Sequence, residues 1–211
     1  MILIRPTLLA MSIVLLGCNG NPTTRPSRQA PTDHGLRIEC GINRGADYTD
    51  PAGTTFNLRY IPVVLTNEST TPIHVQIEFA RDYGYPHPAE DDRFRVLPMP
   101  EEWTGSGDIT RGMLDALGNT IDQPTLADTI APGAELVLAI GTLYPRPPKN
   151  TGVLPRTLFV HDTRGALPEC EWRMDKEPTA GSPTELGLGL ELRFGGRCTV
   201  IPCGWISVGG P

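Results

Sequence analysis

The chain lacks any apolar run long enough to cross a membrane as a helix. Its N-terminal hydrophobic stretch covers only residues 8–16 and is interrupted by Ser12, whereas a spanning helix needs roughly 20 residues. Positive charge is also scarce, because 18 Lys and Arg residues stand against 24 Asp and Glu residues, for a net charge of −6. The phosphates of nucleic acids require clustered cations, so this balance argues against a nucleic-acid partner.

Motifs of known catalytic and metal sites are missing as well. The four histidines form no His-Glu-x-x-His helix, and Ser106 lacks the Gly-x-Ser-x-Gly spacing of a nucleophile elbow. The cysteines lack the Cys-x-x-Cys knuckles typical of structural zinc. We therefore predict no catalytic residue, no metal site, no cofactor and no enzymatic activity. A hydrolase built on Ser106 or His161 is the least favoured function.

The N-terminal segment has the parts of a secretory signal. Arg5 precedes the apolar run, and a small residue stands before Cys18. The run that resembles the lipobox of bacterial lipoproteins is Leu15-Leu16-Gly17-Cys18. In that family the cysteine becomes the lipid-bearing N-terminus, so the resemblance implies lipidation of Cys18 and anchoring in the bacterial cell envelope. Asn19 favours the outer membrane or its periplasmic face, and simple secretion is the alternative.

Three regions follow from composition. Residues 1–17 are the predicted signal peptide, and residues 18–35 are a predicted disordered tether without a large apolar side chain. Residues 36–211 are long enough for one well-buried domain. Removal of the signal takes away Arg5 and leaves a net charge of −7.

The apolar residues of this domain recur mainly with a period of two. Residues 72–79 and 186–194 alternate strictly between apolar and polar or glycine positions, which predicts strands with one buried face. Around Pro62 the alternation changes phase, which predicts a bulge or an edge strand. Many short strands joined by Gly- and Pro-rich turns predict a mainly β, antiparallel sandwich.

One short helix is predicted within an insertion at residues 98–125. Its apolar stripe covers residues 109–117, with Asp108 as the N-cap and Gly118 as the terminator.

Two segments resemble the immunoglobulin-like sandwiches of bacterial envelope proteins. Residues 63–73 form a strand, an Asn-Ser turn and a strand, and residues 131–136 form a Pro-Gly turn followed by a strand. The resemblance implies an immunoglobulin-like arrangement, although Cys40 and Cys170 lie too far apart for the bridge of antibody domains. The whole chain is similar to uncharacterised envelope lipoproteins of bacteria such as planctomycetes, which implies no activity.

Four cysteines remain beside the lipidation site. They are Cys40, Cys170, Cys198 and Cys203. An even number in an oxidising compartment predicts disulfides, with three possible connectivities. We favour Cys40 with Cys170 and Cys198 with Cys203, and a four-cysteine zinc site is the alternative.

The loop at residues 82–92 is the predicted binding loop. The residues that could contact a ligand are Tyr83, Tyr85, His87, Asp91 and Asp92. Tyrosines and prolines supply rigid contact area, and the carboxylates could hold calcium weakly. A surface connection folded back on the sandwich is the alternative.

Two functions stay open. The first is a non-catalytic envelope protein whose domain binds a protein partner or supports an assembly. The alternative is a carbohydrate-binding module that stacks sugar rings on Tyr83, Tyr85 and Trp103. Gly187 and Gly189 leave one strand face bare, which permits close approach of another chain.

Overall fold

The structure of the protein is a computed structural model that describes residues 27–28, 35–84, 93–105, 107–145, 152–161 and 185–208. The strands are β1 (Ser27–Arg28), β2 (Leu36–Cys40), β3 (Arg44–Thr49), β4 (Thr55–Asn67), β5 (Ile73–Glu78), β6 (Tyr83–Gly84), β7 (Arg93–Met99), β8 (Thr125–Ile130), β9 (Glu135–Pro145), β10 (Val153–His161), β11 (Glu185–Phe194) and β12 (Arg197–Val208). A 3₁₀ turn (Glu101–Thr104) and the helix α1 (Arg111–Thr120) lie between β7 and β8.

These strands form two antiparallel sheets. Sheet A has the order β1-β2-β4-β9-β7-β6, with β3 also paired to β4. Sheet B has the order β10-β11-β12-β5-β8. The predicted mainly β, antiparallel sandwich with one short helix in an insertion is confirmed.

The main core lies between the two sheets. Its buried side chains come from alternate positions of both sheets, including Ile38, Val63 and Leu65 from sheet A and Val75, Leu190 and Ile206 from sheet B. Alternation of this kind is expected where each sheet buries one face.

The phase change in β4 has a different cause from the one predicted. The strand pairs with β9 in unbroken register from Phe56 to Thr66, so it contains no bulge against β9 and is central in sheet A. Leu58 and Tyr60 instead pack against the insertion on the outer face, whereas Ile61 faces the main core. The predicted edge position is therefore wrong, because β4 has a hydrogen-bonded neighbour on each side. On the side away from β9, the pairing passes from β2 to β3 at Pro62, where residues 41–43 lie opposite only Ile61 and Pro62.

The helix is displaced from its predicted bounds. It begins at Arg111, and the hydroxyl of Thr110, not Asp108, accepts a hydrogen bond from the backbone N–H of Met113 at 3.3 Å. It also continues past Gly118, where the lack of a side chain leaves room for the Tyr48 hydroxyl. Gly118 therefore allows close packing against Tyr48, and the prediction that it ends the helix is wrong.

Two residues of the predicted tether form a strand. Ser27 pairs with Cys40 and Arg28 with Glu39, which adds β1 to the edge of sheet A. Backbone pairing with an open sheet edge needs no large apolar side chain, so composition did not reveal it. Among the described residues, no helix is both long and apolar enough to span a membrane.

Candidate functional site

The outer face of sheet A is covered by the insertion between β7 and β8. Trp103 and Leu117 pack onto Leu58, Tyr60 and other outward residues of this face, forming a second buried cluster. The indole of Trp103 is 0% exposed and meets the Tyr60 ring edge-on at 5.0 Å between centroids. Trp103 is therefore inaccessible to a sugar, and its predicted stacking role is wrong.

The outer face of sheet B carries an exposed tryptophan. Residues directly opposite each other in an antiparallel pair lie on the same face. One row across the sheet consists of Trp205, Gln76 and Ala127. The next row consists of Ser207, His74 and Thr129. We name these six outward residues the Trp205 band. They line one open depression of about 580 Å³ together with Val75 and Asp128.

The band combines aromatic surface with hydrogen-bonding groups. Trp205 is 37% exposed, and His74 and Gln76 are partly exposed beside it. The Nδ1 atom of His74 lies 2.8 Å from the Thr129 hydroxyl, so these two side chains hold each other in place. None of the six is Lys, Arg, Asp or Glu. The surface suits an uncharged ligand with both an apolar face and hydroxyl groups.

Two glycines shape the band. Gly204 has φ +124°, and a Cβ there would overlap the carbonyl oxygen of Gln76. This conformation favours glycine, and it lets β12 approach β5 directly before Trp205. Gly187, opposite Trp205 on β11, has no side chain, and the ring of His161 occupies the space a Cβ would need. The strand face predicted to be bare at Gly187 and Gly189 is thus covered by His161 and Phe159 of β10.

The free edge of sheet B next to the band is protected against strand addition. Asp128 of β8 lies opposite Val75, so its position belongs to the core side of the sheet, and its carboxylate is nevertheless exposed. The Oδ1 atom accepts a hydrogen bond from the N–H of Thr129 at 2.7 Å. A charge on the inward side of an edge strand disfavours pairing with another strand, because the pairing would bury it.

Tyr83 is the only one of the five predicted contact residues of the binding loop that lies in the described part of the chain. Its ring stacks on Phe94 with centroids 5.4 Å apart, and its hydroxyl oxygen accepts a hydrogen bond from the N–H of Ala80 at 2.9 Å. Burial raises the pKa of this phenol. The ring therefore packs on the edge of the main core, and one of its faces is taken up by Phe94. The other four predicted residues lie outside the described part, and they are Tyr85, His87, Asp91 and Asp92.

Both favoured disulfide pairings are wrong. Cys40 and Cys203 are buried free thiols. Cys203 and Cys198 lie on the same extended strand, which separates them by roughly 16 Å at about 3.3 Å per residue. A disulfide requires Cα atoms within about 7 Å. Burial raises the pKa of Cys40 to about 11 and also raises the pKa of Cys203.

Cys198 is a disulfide cysteine, and its partner is not one of the other described cysteines because both of those are free. Cys18 and Cys170 lie outside the described residues, as does Ser106. His161 ends β10 beside Gly187. In the described part of the chain no three His, Cys, Asp or Glu side chains are grouped as metal ligands.

Sequence reasoning missed the Trp205 band because its parts come from three strands that are distant in the chain. The signal in the sequence is the alternation along β5, which places the polar residues His74 and Gln76 together on the solvent-facing side of the strand. Comparison with known proteins finds no matching family, no matching curated protein and no matching solved structure. The likeness to immunoglobulin-like sandwiches and envelope lipoproteins stays a prediction.

Proposed function

We propose that the chain is a lipid-anchored protein of the bacterial cell envelope whose sandwich is a non-catalytic binding module. The observation that carries this proposal is the exposed Trp205 within a polar, open sheet face. Large aromatic side chains are enriched where proteins bind partners, since they supply much contact area at low entropic cost. The depression is open to water, unlike the closed sites in which most catalysis occurs.

The anchor in this proposal rests on the lipobox-like run before Cys18. A diacylglyceryl group on this cysteine would hold the protein stably at a membrane, because two acyl chains anchor far more firmly than one. The outer membrane or its periplasmic face is the proposed location. The partner is then an envelope protein or a polysaccharide, and the acidic net charge argues against nucleic acid.

The anchor is tested by fractionating cells that express the full chain or its Cys18→Ala variant. We expect the wild-type chain in the membrane fraction, labelled by an alkyne fatty acid supplied in the medium. The variant is expected to be unlabelled. Equal labelling of both proteins would overturn lipidation at Cys18.

The binding role is tested by photo-cross-linking in intact envelopes. A diazirine amino acid is placed at Thr129 in the band or at Val137, an exposed position of sheet A that serves as the matched control. Diazirines insert into C–H bonds of proteins and glycans alike. We expect adducts from Thr129 and few from Val137. Adducts from neither position, or equal adducts from both, would overturn the proposal.

A further inference from the structure

We infer that the Trp205 band binds an extended, neutral glycan. This inference rests on the proposed binding role and names the class of ligand. A sugar ring has an apolar face of C–H groups and a rim of hydroxyls. The band offers the matching pair of surfaces, an exposed indole and, beside it, the amide of Gln76 and the hydroxyl of Ser207. An amide and a hydroxyl can each both donate and accept hydrogen bonds, as sugar hydroxyls require.

The charge of this surface selects against acidic ligands. The band contains no cationic lysine or arginine, while the carboxylates of Asp128 and Glu185 lie at its margins. Glu185 pairs with Ser207, so it continues the second row of the band. The chain as a whole is acidic. A polyanionic polysaccharide would therefore be repelled, whereas a neutral one meets no electrostatic penalty.

The shape favours a chain over a single sugar. The exposed part of the row that contains Trp205 runs through Gln76 on β5 to Ala127 on β8, because Gly187 on β11 is buried under the ring of His161. At about 4.8 Å between neighbouring strands, these three positions span roughly 10 Å. The row of Ser207, His74 and Thr129 runs beside them. A surface of this length can accept two consecutive sugar units.

The same features disfavour an extended peptide as the ligand. Peptides commonly bind sandwiches by adding a strand at a free edge. Here the neighbouring edge strand carries Asp128 at a core-side position, which penalises such pairing. A glycan needs no backbone ladder and uses the face of the sheet instead.

The inference is tested by native affinity electrophoresis of the full chain in non-ionic detergent. The gels contain hydroxyethylcellulose, xylan, laminarin or the neutral polysaccharide fraction of the producing cell's own envelope. Polygalacturonate serves as the acidic comparator. We expect retardation in at least one neutral gel and none in polygalacturonate.

Variants then locate the site. Trp205→Ala should weaken retention at least 10-fold, and Trp205→Tyr should restore most of it because a phenol also provides a stacking face. Gln76→Ala should weaken retention several-fold. Val137→Ala, which alters exposed apolar surface on sheet A, should leave it unchanged.

Failure of this inference is distinct from failure of the proposed function. Absence of retardation in every neutral gel, or retention unaffected by Trp205→Ala, overturns the glycan inference. If Thr129 nevertheless cross-links to a protein in envelopes, the binding module stands and its ligand is a protein. If both the gels and the cross-linking are negative, both proposals fall.

Discussion

The two outer faces of the sandwich carry the same residue type in opposite situations. Over sheet A, Trp103 is part of the insertion and is fully buried against the sheet, and its indole Nε1 has no hydrogen-bond partner in the described part of the chain. On sheet B, Trp205 lies in an open polar band. Trp103 attaches the insertion to sheet A as a third layer, whereas Trp205 stays exposed to solvent. The covering insertion, more than the residue type, therefore decides whether a tryptophan on an outer face is buried or exposed.

The largest expected effect is on the covered face. Trp103→Ala should lower the free energy of unfolding by about 3–5 kcal/mol, because it removes the centre of the second cluster. Urea denaturation followed by circular dichroism measures the change. Trp103→Phe keeps an aromatic ring and removes the unpartnered N–H, so it should cost much less. A small effect of the alanine variant would mean that the insertion contributes little to the fold.

The core between the two sheets contains two buried free thiols, Cys40 and Cys203, whose reactivity reports on how well the core is protected. Since the reactive species is the thiolate, a pKa of about 11 for Cys40 should slow its alkylation at pH 8 roughly 100-fold relative to the unfolded chain. Cys203 should be protected as well, because it too is buried. Mass spectrometry after alkylation with and without urea, in the absence of reductant, measures this. Failure of either thiol to react even in urea would show that it is paired.

The close approach of β12 to β5 within the Trp205 band depends on Gly204. Gly204→Ala should destabilise the protein by about 2–3 kcal/mol, because it combines an unfavourable φ with overlap against the Gln76 carbonyl. Glycan retention should fall with it, since Trp205 is the next residue. Gly53 also has a positive φ, +87°, but no atom lies within 4 Å of its Cβ position, so Gly53→Ala is the matched control. Equal losses for the two variants would exclude a special packing role for Gly204.

A smaller loss is expected from the helix that covers sheet A. Thr110→Ala removes the N-cap hydroxyl and should cost about 1 kcal/mol in thermal or urea unfolding. Glycan retention should stay unchanged, because α1 packs on the opposite outer face. Thr125→Ala, at an exposed position of β8, is the comparison variant. Loss of retention in the Thr110 variant would show that the two faces are coupled.

The smallest change in stability is expected where the binding effect is greatest. Trp205→Ala should lower the free energy of unfolding by about 1 kcal/mol or less, because the side chain is already partly exposed. The same urea titration used for Trp103→Ala provides the contrast. A loss as large as that of Trp103→Ala would assign Trp205 a structural role.

Much of the fold could be predicted because strand periodicity is a local property. The alternation predicted over residues 72–79 and 186–194 matches β5 and β11 closely. The helix was predicted in the correct insertion but with the wrong cap, since Asp108 and Thr110 are both good capping residues. The phase change in β4 was misread because the pattern shows which residues are apolar without showing what covers them.

The site was less predictable than the fold. The loop around Tyr83 had the composition of a binding surface, yet the Tyr83 ring packs on Phe94. The band is assembled from β5, β8 and β12, and their neighbour relations depend on sheet order. Disulfide pairing failed for a related reason, because closeness in sequence between Cys198 and Cys203 becomes separation along an extended strand.

From the amino-acid sequence alone we predict a β-rich domain, one helix within an insertion, and a run before Cys18 that resembles a lipobox. The sequence could not distinguish Trp103 from Trp205. Tertiary structure made that distinction, because the insertion folds onto sheet A and leaves the band of sheet B exposed. Local chemistry sets which face of a strand is apolar, whereas the exposure of each outer face depends on contacts between segments that are distant in the chain.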